Sequence, residues 1–300
     1  MPWIPMRDGQ KVFVRIIGKG RPTLFLHGFG MHSAHWLPFL LPLAHRYKFY
    51  LPDMRGFGES GQIRHNKPCV LTNYAEDLAD IIDYFRLENF PLAGISMGAF
   101  ISMQYFRTVP DPKVSAYLNI DQSPHIRCEG NWHYGLFGVD GIARFKLLEE
   151  LYEGAKAFGP DTPFQHLPKD FQQAFLHELG DFIGYAFSKP LQKRWVKELW
   201  RFPSLADKVL PARQWFAYAT CIGAYLTQDY DMRASLKTLE MPVWVLAGLK
   251  SDMYPWQGQK FIADQCRQGH FLPFEKSGHI PMLDEPRRFV QVANGFIRSH

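Results

Sequence analysis

No stretch of this chain stays apolar long enough to cross a bilayer. The most apolar run, Trp36 to Leu43, is broken by Pro38 and Pro42 and falls far short of the roughly 18 residues that a spanning helix needs. Cysteine is scarce too: Cys69, Cys128, Cys221 and Cys266 are scattered through 300 residues, with no C-x-x-C pair and no histidines at zinc spacing. That distribution excludes a disulfide framework and a zinc module, and it reads as reduced thiols, mostly buried. A lysine or arginine block is missing as well. The 34 basic and 29 acidic residues are spread along the sequence, so the net charge of +5 offers no track for a phosphate backbone and argues against nucleic-acid binding. Met1 to Asp8 carry no basic segment followed by an apolar core and a small-residue cleavage site, so a cytoplasmic location is expected. There is no internal repeat and no low-complexity linker. Self-association into a homo-oligomer stays open.

What is present is enough apolar content, 46% of the residues, to bury a large core in one big domain or a domain with an insertion. Lys11 to Ile17 alternates and ends at Gly18-Lys19-Gly20, as a hairpin strand does. Thr23–Leu26, Tyr47–Leu51, Phe90–Ile95 and Ser115–Ile120 are short apolar runs, the pattern of parallel strands covered on both faces. Between them, Asn73 to Leu87 has the helical period, with Ala75, Leu78, Ile81, Ile82 and Phe85 on one face, and Met97 to Thr108 forms a second helix. Strands alternating with helices predict an α/β fold built on a mostly parallel sheet with helices on both faces. The alternation stops after Asp121-Gln122-Ser123-Pro124 and resumes with the strand Val243–Gly248, a helix near Gln257 to Cys266, the strand Phe271–Phe274 and a closing helix from Pro286 to Ile297. Residues 1–124 and 237–300 are therefore expected to form the sheet domain. Residues 125–236 are expected to form a helical insertion packed on it, crowded with aromatics that include Trp132, Phe182, Trp195, Trp200, Trp215 and Tyr218.

The most informative stretch is Gly94-Ile95-Ser96-Met97-Gly98, which follows an apparent buried strand and opens an apparent helix. A serine hydroxyl needs exposure on a sharp turn, a neighbouring base and backbone N–H groups aimed at the developing oxyanion before it can act as a nucleophile. The flanking glycines permit that turn, so Ser96 is the candidate nucleophile. Ligands of open α/β sheets bind at the carboxyl ends of the strands, and His27-Gly28-Phe29-Gly30 directly follows the strand that ends at Leu26. The Phe29 and Met97 N–H groups are candidates for binding a tetrahedral oxyanion. Asp53-Met54-Arg55-Gly56-Phe57-Gly58-Glu59-Ser60 occupies the equivalent place after the next strand and reads as structural, its Asp–Arg pair tying loops near the pocket. Ser277-Gly278-His279 follows the last expected strand, which makes His279 the candidate base among twelve histidines. Two aspartates compete to orient it: Asp252, in the loop after Val243–Gly248 and preferred, and Asp121, at the end of the strand before the insertion.

Taken in order, these motifs resemble those of the α/β-hydrolase superfamily, and within it the esterase, haloperoxidase-like and C–C hydrolase group with a helical cap. The resemblance covers nearly the whole chain outside the insertion. It implies Ser96 as nucleophile, His279 as general base and acid, Asp252 as orienting carboxylate and the Phe29 and Met97 amides as the oxyanion hole, with no cofactor and no metal. The elbow residue is serine and not the aspartate of haloalkane dehalogenases and epoxide hydrolases, which disfavours alkyl-enzyme chemistry. The H-G-F-G motif likewise departs from the H-G-G-G of many lipases.

The expected reaction is hydrolysis of a small-molecule ester through an acyl-enzyme. Gly28, Phe29 and Trp36 are expected to line the substrate pocket, and the aromatic insertion points to an apolar or aromatic substrate. A C–C hydrolase, lactonase or perhydrolase with the same triad is the nearest alternative, and a non-catalytic small-ligand receptor on the same scaffold is another.

Overall fold

The computed structural model describes residues 2–67, 69–199, 214–228 and 230–300. Eight strands form one sheet: β1 (Trp3–Pro5), β2 (Lys11–Gly18), β3 (Arg21–Leu26), β4 (Tyr47–Pro52), β5 (Phe90–Ile95), β6 (Val114–Ile120), β7 (Val243–Gly248) and β8 (Gly269–Phe274). Their spatial order is β1-β2-β4-β3-β5-β6-β7-β8. Strands β1 and β2 are antiparallel to their neighbours, and the pairs from β4 to β8 are parallel. Strand β1 escapes the sequence pattern because three residues are too few to show alternation.

The continuous apolar runs are explained by two cores, one on each face. Leu24, Leu26, Leu92 and Tyr117 point into one core, while Phe25, Ala93, Ile95, Ala116 and Leu118 point into the other, as the two-residue period of a strand requires. The first core is closed by α2 (Val70–Tyr84) and α3 (Met97–Thr108), which bury Leu78, Ile81, Phe100 and Met103 against it. The second is closed by α1 (Leu37–Leu40) and the terminal α10 (Pro286–Ser299), with Leu40, Phe289 and Phe296 fully buried. After β3 the chain moves to β4 on one side, and it later returns to place β5 on the other side of β3. Such a reversal opens a crevice at the carboxyl ends of the two strands, where His27–Gly30 and Ser96 lie.

Between β6 and β7 the chain forms α4 (Ile142–Lys156), α5 (Lys169–Gly184), α6 (Pro190–Leu199) and α7 (Trp215–Thr227). Most of its aromatics pack among themselves: the Trp215 ring lies 6.1 Å from those of Phe171 and Phe175 and 6.5 Å from that of Phe158. Others reach the sheet domain, with Phe29 5.3 Å from Phe182 and 5.2 Å from Tyr218, ring to ring. Trp200 and the side chain of Trp195 lie outside the described residues. Helix α8 (Trp256–Gln265) and the short α9 (Pro281–Asp284) complete the fold. No helix among the described residues is long and apolar enough to cross a membrane.

The Asp53–Ser60 motif does tie loops together, but not through an Asp53–Arg55 pair. Asp53 accepts the Ser33 N–H at 2.5 Å and the Glu59 N–H at 2.9 Å. Arg55 is fully buried and forms a bidentate pair with Asp77, both bonds at 2.6 Å, and a third bond to Asp8 at 2.6 Å. A buried guanidinium carries five donors, more than one carboxylate can satisfy, so it draws partners from two other segments. Replacing Asp77 by Ala removes the bidentate partner of that charge and leaves it only the Asp8 carboxylate, and is expected to lower unfolding free energy by about 3 kcal/mol in urea titrations followed by tryptophan fluorescence. The double variant Arg55→Met, Asp77→Leu should lose less.

Candidate active site

Ser96 joins the end of β5 to the start of α3 with φ +52° and ψ −123°, a left-handed conformation that is uncommon for a residue with a side chain. Its flanks explain why glycine stands on either side. A Cβ on Gly94 would collide with the Gly98 carbonyl carbon, and one on Gly98 would come within 2.6 Å of the Leu26 and His27 carbonyl oxygens. Helix α3 thus starts hard against the ends of β3 and β5. Met97, buried, is its first residue, and first-turn amides have no partner within a helix.

The His27–Gly30 loop abuts this elbow: a Cβ on Gly28 would sit 3.3 Å from Ser96 Cβ. The buried His27 ring sets the direction of its peptides. Its Nε2 accepts the Met54 N–H at 2.9 Å, so the proton of the neutral ring is on Nδ1, which donates to the Gly28 carbonyl at 2.8 Å. Burial favours this neutral form and pushes the imidazole below its ordinary pKa. In a planar trans peptide the C=O and N–H point opposite ways, so the Phe29 N–H is directed away from the His27 ring. The H-G-F-G sequence makes this loop visible, but nothing in it reveals that the histidine aims the next amide.

His279, 4% exposed, sits in the loop after β8. Its Nδ1 lies 2.7 Å from Asp121 Oδ2. Because an ionised carboxylate only accepts, the Nδ1 proton is donated to it and Nε2 keeps its lone pair. Asp121, at the carboxyl end of β6 with φ +49°, is fully buried. Its Oδ1 accepts the Gly248 N–H at 2.8 Å and Gln259 Nε2 at 2.9 Å, and its Oδ2 also accepts the Ser251 hydroxyl at 2.7 Å.

Asp252, the acid preferred from spacing, is not at His279. Its side chain is 48% exposed and pairs with Lys193 of α6. The end of β7 and the loop after it do reach the site, but they deliver the Gly248 amide and the Ser251 hydroxyl. Both are donors that complement the carboxylate already provided by β6, whereas a second carboxylate there would be repelled. Sequence reasoning missed Ser251 and Gln259. The available signal for the latter is a glutamine on the buried stripe of α8, beside Gly258, Ile262 and Ala263.

Ser96 and His279 line one cavity of about 500 Å³. Phe29 and Gly28 line it with them, and α5 and the segment after it contribute Phe182, Ile183, Ala186 and Phe187. Trp36 does not. Its ring is fully buried in the second core, edge-on to Phe25 at 5.2 Å and stacked at 6.2 Å on Phe289, because the 3₁₀ turn Ser33–Trp36 just before α1 directs that side chain toward the sheet face closed by α10. The remaining polar side chains on the wall are His32 and His35. Among the described residues no group of three or more His, Cys, Asp or Glu is placed to hold a metal ion. The four cysteines are free, Cys221 and Cys266 buried and Cys69 and Cys128 half-buried.

Comparison with known proteins agrees with this architecture. Residues 23–292 match the model of the Alpha/beta hydrolase family. The chain is 26% identical over 290 residues to a pimeloyl-(acyl-carrier protein) methyl ester esterase of Aeromonas salmonicida, spanning 96% of this chain and 100% of that protein. It is 24% identical over 298 residues to 3-oxoadipate enol-lactonase 1 of Acinetobacter baylyi, spanning 99% and 96%. An esterase structure from Exiguobacterium antarcticum superposes with a TM-score of 0.76 at 22% identity, covering 99% of this chain and 98% of that one.

The two aspartates are separable by substitution. In steady-state assays Asp121→Asn is expected to reduce kcat by about 10⁴-fold, as when the orienting acid of a catalytic triad is lost. Asp252→Asn should leave kcat within twofold of the parent.

Proposed function

Because the chain belongs to the α/β-hydrolase family, we propose that it is a serine hydrolase cleaving uncharged, apolar carboxylic esters through an acyl-enzyme, with Ser96, His279 and Asp121 as the triad. The observation that carries this reading is the 2.7 Å bond from His279 Nδ1 to a fully buried carboxylate. It fixes the tautomer whose Nε2 can take a proton, in a ring that shares a cavity with the strained Ser96. Similarity to proteins named as esterases supports the same reaction class.

In the first half-reaction His279 Nε2 takes the Ser96 hydroxyl proton as Oγ attacks the ester carbonyl. Asp121 holds the imidazolium that forms. The Phe29 and Met97 amides receive the oxyanion, and each such donor is worth about 3 kcal/mol in comparable sites. His279 then gives its proton to the leaving alkoxide. In the second half-reaction it deprotonates a water that attacks the acyl-enzyme, then returns that proton to Ser96 Oγ as the C–O bond to the serine breaks and the carboxylic acid leaves. The helical segment between β6 and β7, which places Phe182, Ile183, Ala186 and Phe187 on the cavity wall, acts as the cap of this site.

The cavity wall supports an apolar substrate. Apart from Ser96, His279, His32 and His35, the lining side chains are apolar, among them Met31, Phe39, Met253, Ile280 and Met282. Among the described residues no lysine or arginine lines the cavity, so a carboxylate-bearing substrate would leave water unpaired, at a penalty of several kcal/mol. A lactone is the same functional group with its alcohol tethered. Lactone hydrolysis is therefore the second reading, supported by the similarity to an enol-lactonase.

Two measurements test the reading. A fluorophosphonate probe is expected to label the wild type and not Ser96→Ala, and absence of wild-type labelling would favour a ligand receptor. Against p-nitrophenyl butyrate, p-nitrophenyl hemisuccinate should show kcat/KM at least about 100-fold lower. Cleavage of a ring-fission diketone while every ester stays intact would assign the site to C–C hydrolysis.

A further inference from the structure

Helix α8 contributes a side chain to the acid site that the mechanism does not use. Gln259 is completely buried, and its Nε2 donates to Asp121 Oδ1 at 2.9 Å. The facing carboxylate fixes the orientation of the amide, because a carboxylate can only accept and the NH₂ group must be the one turned toward it. That orientation leaves the buried amide oxygen, Gln259 Oε1, without a hydrogen-bond partner among the described residues. A side chain selected for packing alone would be an apolar residue of the same volume, since an unsatisfied buried acceptor is destabilising. The fold keeps the amide despite that penalty.

The geometry shows what the amide does. The Cβ–Cγ torsion of aspartate is soft and roughly two-fold, so it does not by itself decide which oxygen faces a partner or at what tilt. At Asp121 the two oxygens have separate tasks. Oδ1 takes Gly248 N–H at 2.8 Å and Gln259 Nε2 at 2.9 Å, while Oδ2 takes Ser251 Oγ–H and His279 Nδ1–H, both at 2.7 Å. The backbone amide supplies one anchor on Oδ1. Gln259 supplies the second, from a different element, so that the carboxylate plane cannot turn. We propose that Gln259, assisted by Ser251, is a positioning residue that holds Asp121 Oδ2 on His279 Nδ1. This role rests on the triad reading above.

The test compares the full-length variants Gln259→Met, which keeps the volume and removes the donor, and Ser251→Ala with the wild type and Asp121→Asn. Steady-state kinetics on p-nitrophenyl butyrate are read alongside thermal unfolding and titration of active sites with the fluorophosphonate. Each single variant is expected to lower kcat about tenfold, the loss of one hydrogen bond to a charged group, with KM within twofold of wild type. The Tm of Gln259→Met should stay close to wild type, because the donor lost from Asp121 and the orphan acceptor removed with it offset each other. Wild-type kcat in both variants, with Asp121→Asn inactive, overturns the inference. So does a loss of rate that only follows loss of titratable sites or of Tm, which is what a structural residue would give. Wild-type activity in Asp121→Asn would overturn the triad reading instead.

Discussion

A single buried carboxylate organises one end of this molecule. Asp121 collects a backbone amide from the end of β7, a hydroxyl from the following loop, an amide from α8 and an imidazole from the loop after β8. Removed from water, an ionised carboxylate is tolerated only when its lone pairs are met by donors. The segments that bring those donors are therefore held in a common frame. The sheet makes the arrangement possible by ending β5, β6, β7 and β8 side by side, and the reversal of strand order between β3 and β5 places the His27–Gly30 loop and Ser96 in the same crevice.

Much of this is legible in the linear chain because parallel strands buried on both faces must be apolar throughout. Strand β5, buried at all six positions, and the glycines around Ser96 record close packing that few other residues could satisfy. The H-G-F-G motif and His279 are legible through the same logic, by their position after strands. The carboxylate that meets His279 is less so. Asp121 and Asp252 both follow strands that end at the site, and spacing cannot tell a side chain that turns inward from one that turns out to Lys193. What decides is a register of donors, Gly248 and Ser251, that becomes visible only when the strand ends are set beside one another.

Trp36 shows the complementary limit. A large aromatic a few residues beyond the H-G-F-G motif has a plausible place in a pocket, yet the phase of a single helical turn assigns it to the opposite face of the sheet, against Phe25 and Phe289. The helical segment between β6 and β7 is similar in kind. Its aromatic content is evident from composition, but most of the rings pack on one another, and the side chains that line the cavity, such as Phe182 and Ile183, carry no mark in the sequence that sets them apart.

The left-handed backbone at Ser96 has a consequence for how this protein could change. Holding a side chain at φ +52° stores strain on the order of 1–3 kcal/mol, which glycine at that position would release. Selection for durability alone would thus erode the hydroxyl that the proposed chemistry requires, and any robust descendant that retains activity must gain its resilience elsewhere. The elbow is a place where persistence of the fold and usefulness of the fold pull in opposite directions.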